Sequence, residues 1–72
     1  MNANEIITIV QQHNAPLSAK GIAHYAGVDA DSGMLRDIQA TCWELVESGH
    51  FSEIDRREEK NGGLFFQSQA SI

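Results

Sequence analysis

The stretch DRREEKNGGLFF, residues 55–66, reads as a charged ribbon that turns at a glycine pair and returns as an apolar strand. Asn61-Gly62 is a strong hairpin-turn signal, because both central positions of such a turn need positive φ. Leu64 to Ser68 is rich in strand formers. His50 to Arg56 reads as the partner strand, anchored by Phe51 and Ile54. Phe65 and Phe66 are neighbours on a strand, so they point to opposite faces.

Upstream of the hairpin the periodicity is helical. A third helix starts after Asp29, with Asp31 or Ser32 as its cap, and runs to about Ser48 before Gly49 stops it. At about 100° per residue, Leu35, Ile38, Cys42, Leu45 and Val46 fall on one face. The opposite face carries Gly33, Arg36, Asp37, Ala40, Glu44 and Glu47, with Trp43 at the edge of the apolar face. A second helix spans Ala19 to Ala26, capped by Ser18 and closed by Gly27, after which Val28 drops back toward the core. Leu17 is a short extended residue before it. The first helix spans Asn4 to His13, capped by Asn2 or Asn4, and ends at Asn14 and Pro16. Ile6, Ile7, Ile9, Val10 and His13 form its stripe. The residues from Gln69 to Ile72 are expected to fray.

Seventy-two residues make one domain, 1–72, with an ordered core of about 4–68. Cys42 is the only cysteine, so no disulfide within the chain can support the fold. The start MNANEII shows neither a basic region nor a cleavage-like end, and no apolar run nears the roughly 20 residues that span a bilayer. The expectation is a soluble cytoplasmic protein with no membrane partner. Ten acidic residues against five basic ones give a net charge of −5. That balance opposes nucleic-acid binding on average, although a basic patch can sit on an acidic body.

Three stretches carry a family resemblance. PLSAKGIAHYAGV (16–28) looks like a short strand, a second helix and a tight turn. MLRDIQATCWELVESGHF (34–51) looks like a long third helix ending in glycine and a buried aromatic. DRREEKNGGLFF looks like a wing. Together they resemble the winged helix-turn-helix family across nearly the whole chain. The resemblance implies an α+β fold of three helices with a two- to three-stranded antiparallel wing. It also implies a small DNA-binding transcriptional regulator whose third helix reads the major groove while the wing contacts the backbone. Carried over, Ser18 and Lys20 would approach phosphate. Ser32, Arg36, Gln39 and Ala40 would face the groove, and Arg56, Arg57 and Lys60 would be the wing contacts. Arg suits guanine and Gln suits adenine. The chain departs from the pattern at Asp29, Asp31, Asp37, Glu44, Glu47, Glu58 and Glu59, which put acids on the same surfaces.

A second class of function follows from those acids. An acidic adaptor would bind protein, as a homodimer or on a larger partner, through Trp43, Glu44, Glu47 and the exposed Phe of the pair, Phe65. Core packing of Trp43 against the hairpin is the plainer reading of that residue. Likewise, local pairing with Asp55, Glu58 and Glu59 is the plainer reading of the basic cluster at residues 56–60. Cys42 reads as a core thiol. His13, His24 and His50 form no short ligand pair, so no metal and no cofactor is expected. His24 and Tyr25 read as a surface or helix-packing pair. DADSG (29–33) briefly suggests a calcium loop, but its glycine comes one position early and position twelve would be Ala40. With no catalytic motif, an enzyme is not expected.

Overall fold

The computed structural model describes residues 1–13, 15–60 and 62–69. Three helices come first: α1 (Ala3–Gln12), α2 (Ala19–Tyr25) and α3 (Ser32–Glu47). An antiparallel pair follows, β1 (Phe51–Asp55) and β2 (Leu64–Ser68), in register from Phe51 opposite Ser68 to Asp55 opposite Leu64. The architecture is mixed α+β. Among the described residues, the expectation of two to three strands is met by two. Leu17 adds a single antiparallel bridge to Phe66, its N–H donating at 2.9 Å and its C=O accepting at 2.8 Å. Pro16 lacks an N–H and Ser18 already caps α2, so Leu17 has no room to lengthen into a strand.

Each helix is closed by local chemistry. Asn2, Ser18 and Asp31 accept from the backbone N–H three residues on, at 2.9, 3.2 and 2.8 Å. Of the pairs offered by the sequence, Asn2 rather than Asn4 and Asp31 rather than Ser32 serve as caps. Helices α2 and α3 end alike. Gly27 (φ 73°) and Gly49 (φ 87°) take the left-handed conformation. The next N–H then reaches back to the third-last helical carbonyl, Val28 to Ala23 at 3.1 Å and His50 to Leu45 at 2.9 Å. These reversals turn the chain sharply and set α2 against α3, and α3 against β1.

Ile6 and Val10 of α1, Ala19, Ile22 and Ala23 of α2, and Ile38, Cys42 and Leu45 of α3 meet Leu17, Phe51 and Phe66 in one core. Ile7, Ile9, Leu35 and Val46 from the predicted stripes are half-buried at its margin. Among the described residues no polar side chain is buried. Nor is any helix long and apolar enough to cross a membrane.

The connection between the strands differs from a two-residue Asn-Gly turn. The paired register ends at Asp55 opposite Leu64, and one further bond joins Arg56 N–H to Gly63 C=O at 2.9 Å. Glu59 N–H donates to Arg56 C=O at 3.1 Å and Gly62 N–H to Glu59 C=O at 2.9 Å, so consecutive turns carry the chain round. Asn61 lies outside the described residues, so the conformation expected of the Asn-Gly pair does too. Gly62 is needed for space: a Cβ there would run into the backbone carbonyl of Arg56. The end of the first helix at Asn14 also lies outside the described residues, as do positions 70–72. Gln69, expected to fray, is held by a 3.0 Å bond from its N–H to His50 C=O and a 2.8 Å bond from its amide to Ser52 Oγ.

Candidate nucleic-acid interface

The residues that the resemblance would turn toward a groove lie on α3. Ser32, Arg36, Gln39, Ala40 and Trp43 recur at helical spacing, and together with Leu35 they line an open depression of about 490 Å³. At about 100° per residue, Glu47 continues this row, while Glu44 and Asp37 lie about 40° and 60° round the helix from Ala40, as its i+4 and i−3 neighbours. The acids that the sequence scatters along α3 therefore sit in the row or along its Ala40 edge. Asp31 is spent on capping the helix. Near the helix start, Lys20 lines a smaller concavity with His24, Asp29 and Leu35. Leu35 borders both hollows, so the first turn of α2 and the α3 row adjoin. Ser18 is half-buried, its Oγ occupied by Gly21 N–H.

The hairpin carries the other cations. Arg57 is clasped by Asp55: Nε donates to Oδ1 at 3.0 Å, Nη2 to Oδ2 at 2.7 Å, and the backbone N–H to Oδ1 at 3.0 Å. Hydrogen bonds from the Arg57 side chain, then from its backbone, hold the Asp55 carboxyl below its ordinary range. The Asp55 carboxylate in turn raises the Arg57 guanidinium. Arg56 lies over the Phe65 ring, its guanidinium carbon 5.6 Å from the centroid. Lys60 is exposed. Local pairing with Asp55 thus describes Arg57, but among the described residues no ion pair ties Arg56 or Lys60 to Glu58 or Glu59.

Trp43 and Phe65, joined in the protein-binding alternative, do not share a surface. Trp43 is half-buried and meets Phe66 edge to face, with centroids 5.6 Å apart and planes at 87°. Phe65 sits on the other face of β2, opposite Ile54. Glu44 and Glu47 are both exposed.

Cys42 is fully buried, and burial pushes its thiol from the ordinary 9.0 to about 12. Sequence spacing did not join His13 to Tyr25. Their rings lie 3.8 Å apart, centre to centre, with His24 edge-on to the same tyrosine at 5.4 Å. Both histidines stand at helix ends that the core brings together, a proximity that periodicity within one helix does not reveal. Among the described residues, no three His, Cys, Asp or Glu side chains gather as a metal site.

Compared with known proteins, the chain matches no family model, no curated protein and no solved structure at a significant level.

Proposed function

We propose that the chain is a small winged helix-turn-helix DNA-binding regulator of the cytoplasm. In this reading α3 enters the major groove and the hairpin acts as the wing against the adjacent backbone. One observation carries it. All five cationic side chains, Lys20, Arg36, Arg56, Arg57 and Lys60, are exposed, and they are confined to the first turn of α2, the outer row of α3 and the hairpin link. α1 has none. A net charge of −5 is thus an average over a chain whose cations sit only where duplex contacts are needed. Ser32, Arg36, Gln39 and Ala40 supply the base-facing groups, and Lys20, Arg56, Arg57 and Lys60 supply phosphate contacts.

The test is an NMR titration of the labelled chain with a mixed-sequence duplex at low salt. Shifts at Arg36, Gln39 and residues 56–63, reversed by added salt, support the reading. Arg56→Ala should then weaken binding to every duplex, while Arg36→Ala also relaxes base preference. A silent spectrum at high DNA concentration rejects it.

The apolar lining of the α3 depression favours a second reading. Leu35, Ala40 and Trp43 offer an apolar hollow on an acidic molecule, which suits an adaptor that binds a protein. Trp43→Ala protein that stays folded and still binds such a partner normally would count against it.

A further inference from the structure

The outermost line of α3 carries opposite charges at its two ends and an aromatic side chain between them. At about 100° per residue, Trp43 and Glu47 lie within about 20° of Arg36 round the helix, and Ala40 within about 40°. Arg36, Ala40 and Glu47 are exposed, and Trp43 is half-buried. Glu44 and Asp37 stand about 80° and 100° round from Arg36, at the margin of this line rather than on it. Leu35, Ala40 and Trp43 give the adjoining depression its apolar wall. Among the described residues the one ion pair is Asp55 with Arg57, so neither Arg36 nor Glu47 is neutralised within the chain.

The order of these groups is complementary to its own reverse. Consider α3 laid antiparallel on α3 of a second copy, with the twofold axis level with Thr41 and Cys42. Arg36 of each copy then stands opposite Glu47 of the other, and Trp43 opposite Ala40. A guanidinium meets a carboxylate at both ends, and each indole covers the small side chain at the mouth of the opposite depression. A parallel arrangement would set Arg36 on Arg36 and Glu47 on Glu47, which repel. The charge pattern also selects the occupant. A uniformly basic partner is repelled by Arg36 and a uniformly acidic one by Glu47, whereas a second copy satisfies both. One face of this 16-residue helix is about 24 Å long, so the contact is small and the dimer concentration-dependent.

Resting on the reading that the α3 depression takes a protein, we infer that its occupant is a second copy of this chain. The two α3 helices pack antiparallel, with Trp43 on Ala40 at the centre and Arg36 against Glu47 at both ends. A closed seam covers the row that would enter a groove, so self-association and duplex binding exclude one another.

The experiment is sedimentation equilibrium of the whole chain from about 10 μM to about 1 mM. It is run at about 0.15 M salt, where a Debye length of about 8 Å screens the repulsion between two bodies of charge −5. Wild type is expected to pass from the mass of one chain toward that of two. Arg36→Glu should weaken dimerisation about tenfold, because it sets carboxylate against carboxylate at both ends. Adding Glu47→Arg to that variant should restore the dimer, a rescue that a folding defect would not show. Ala40→Glu should abolish the dimer with Tm unchanged, since Ala40 is exposed. A wild-type mass of one chain throughout overturns the inference and leaves the protein-binding reading, which Trp43→Ala tests with another partner. A dimer indifferent to both Arg36→Glu and Ala40→Glu overturns it as well, by placing self-association on another face.

Discussion

Gly62 and Gly63 are adjacent in sequence and unlike in structure. A Cβ on Gly62 would meet the Arg56 carbonyl, whereas one on Gly63 would meet only the edge of the Phe65 ring at 3.8 Å. Gly62→Ala should therefore force the link apart, at a cost of about 1–3 kcal/mol as in other overpacked sites. Gly63→Ala should be far milder. Thermal unfolding of the two variants checks this, at about 4–8 °C of Tm per kcal/mol for a domain of this size. Cys42 gives a pH prediction. Its thiol stays protonated in the folded chain up to about 12, while the unfolded thiol ionises near the ordinary 9.0. Above pH 9 the unfolded state gains by ionising and the folded state does not. Stability should be fully present below pH 9 and fall between 9 and 12. Folded protein at pH 8 should react slowly with a thiol reagent, and Cys42→Ala should flatten the alkaline fall.

At the scale of elements, α3 shows how one residue serves two ends. Asp31 caps the helix at 2.8 Å and also places an acid beside the row that would face DNA. Asp31→Ala removes both roles and should lower stability by about 1 kcal/mol. Asp31→Asn keeps the capping oxygen and removes the charge, so it should unfold almost as wild type does. On the DNA-binding reading it should also bind duplexes more tightly than wild type. Chemical denaturation and duplex anisotropy on the same two variants separate the effects. The hairpin is fixed to α3 through Trp43 and Phe66, whose edge-to-face geometry is of the favoured kind, worth about 0.5–1.5 kcal/mol beyond burial. Phe66 also holds the bridge to Leu17, so α3, the hairpin and the start of α2 are joined at one side chain and its backbone.

For the whole molecule, on the DNA-binding reading, the decisive quantity is how many cations remain free for phosphate. Of the four phosphate-facing cations Arg57 is clasped by Asp55, which leaves Lys20, Arg56 and Lys60. At about 0.9 per neutralised phosphate, three contacts predict a log–log salt slope of about −2.7. That amounts to a loss of roughly 40-fold in affinity from 50 to 200 mM salt. Anisotropy of a labelled duplex across a salt series measures it, and a flat series would rule out phosphate contact as the source of binding. Asp55→Asn should release Arg57 and steepen the slope toward that of four contacts. An adaptor that binds through Trp43 would show no change in partner affinity with this substitution.

Helix positions, their caps and the burial of Phe51, Cys42 and Ile38 were legible because they rest on local rules. Spacing of apolar residues, a Ser, Asn or Asp before each helix, and a glycine after α2 and α3 act over a few residues and need no partner elsewhere. The same periodicity put Arg36, Ala40 and Trp43 toward the outside of α3. Other features depended on how separate elements meet. Asn61-Gly62 signalled a tight turn, yet the polar run from Arg57 to Lys60 ran outside the strand pairing and a longer link formed, with Gly62 used for close approach. The clasp of Asp55 on Arg57, the choice of Phe66 over Phe65 to meet Trp43, and the contact of His13 with Tyr25 arise from strand register and helix packing. Composition alone determined an acidic chain with one thiol. Only the tertiary structure decided which of its charges are already partnered, because pairing depends on distances between residues that the order of the chain does not set.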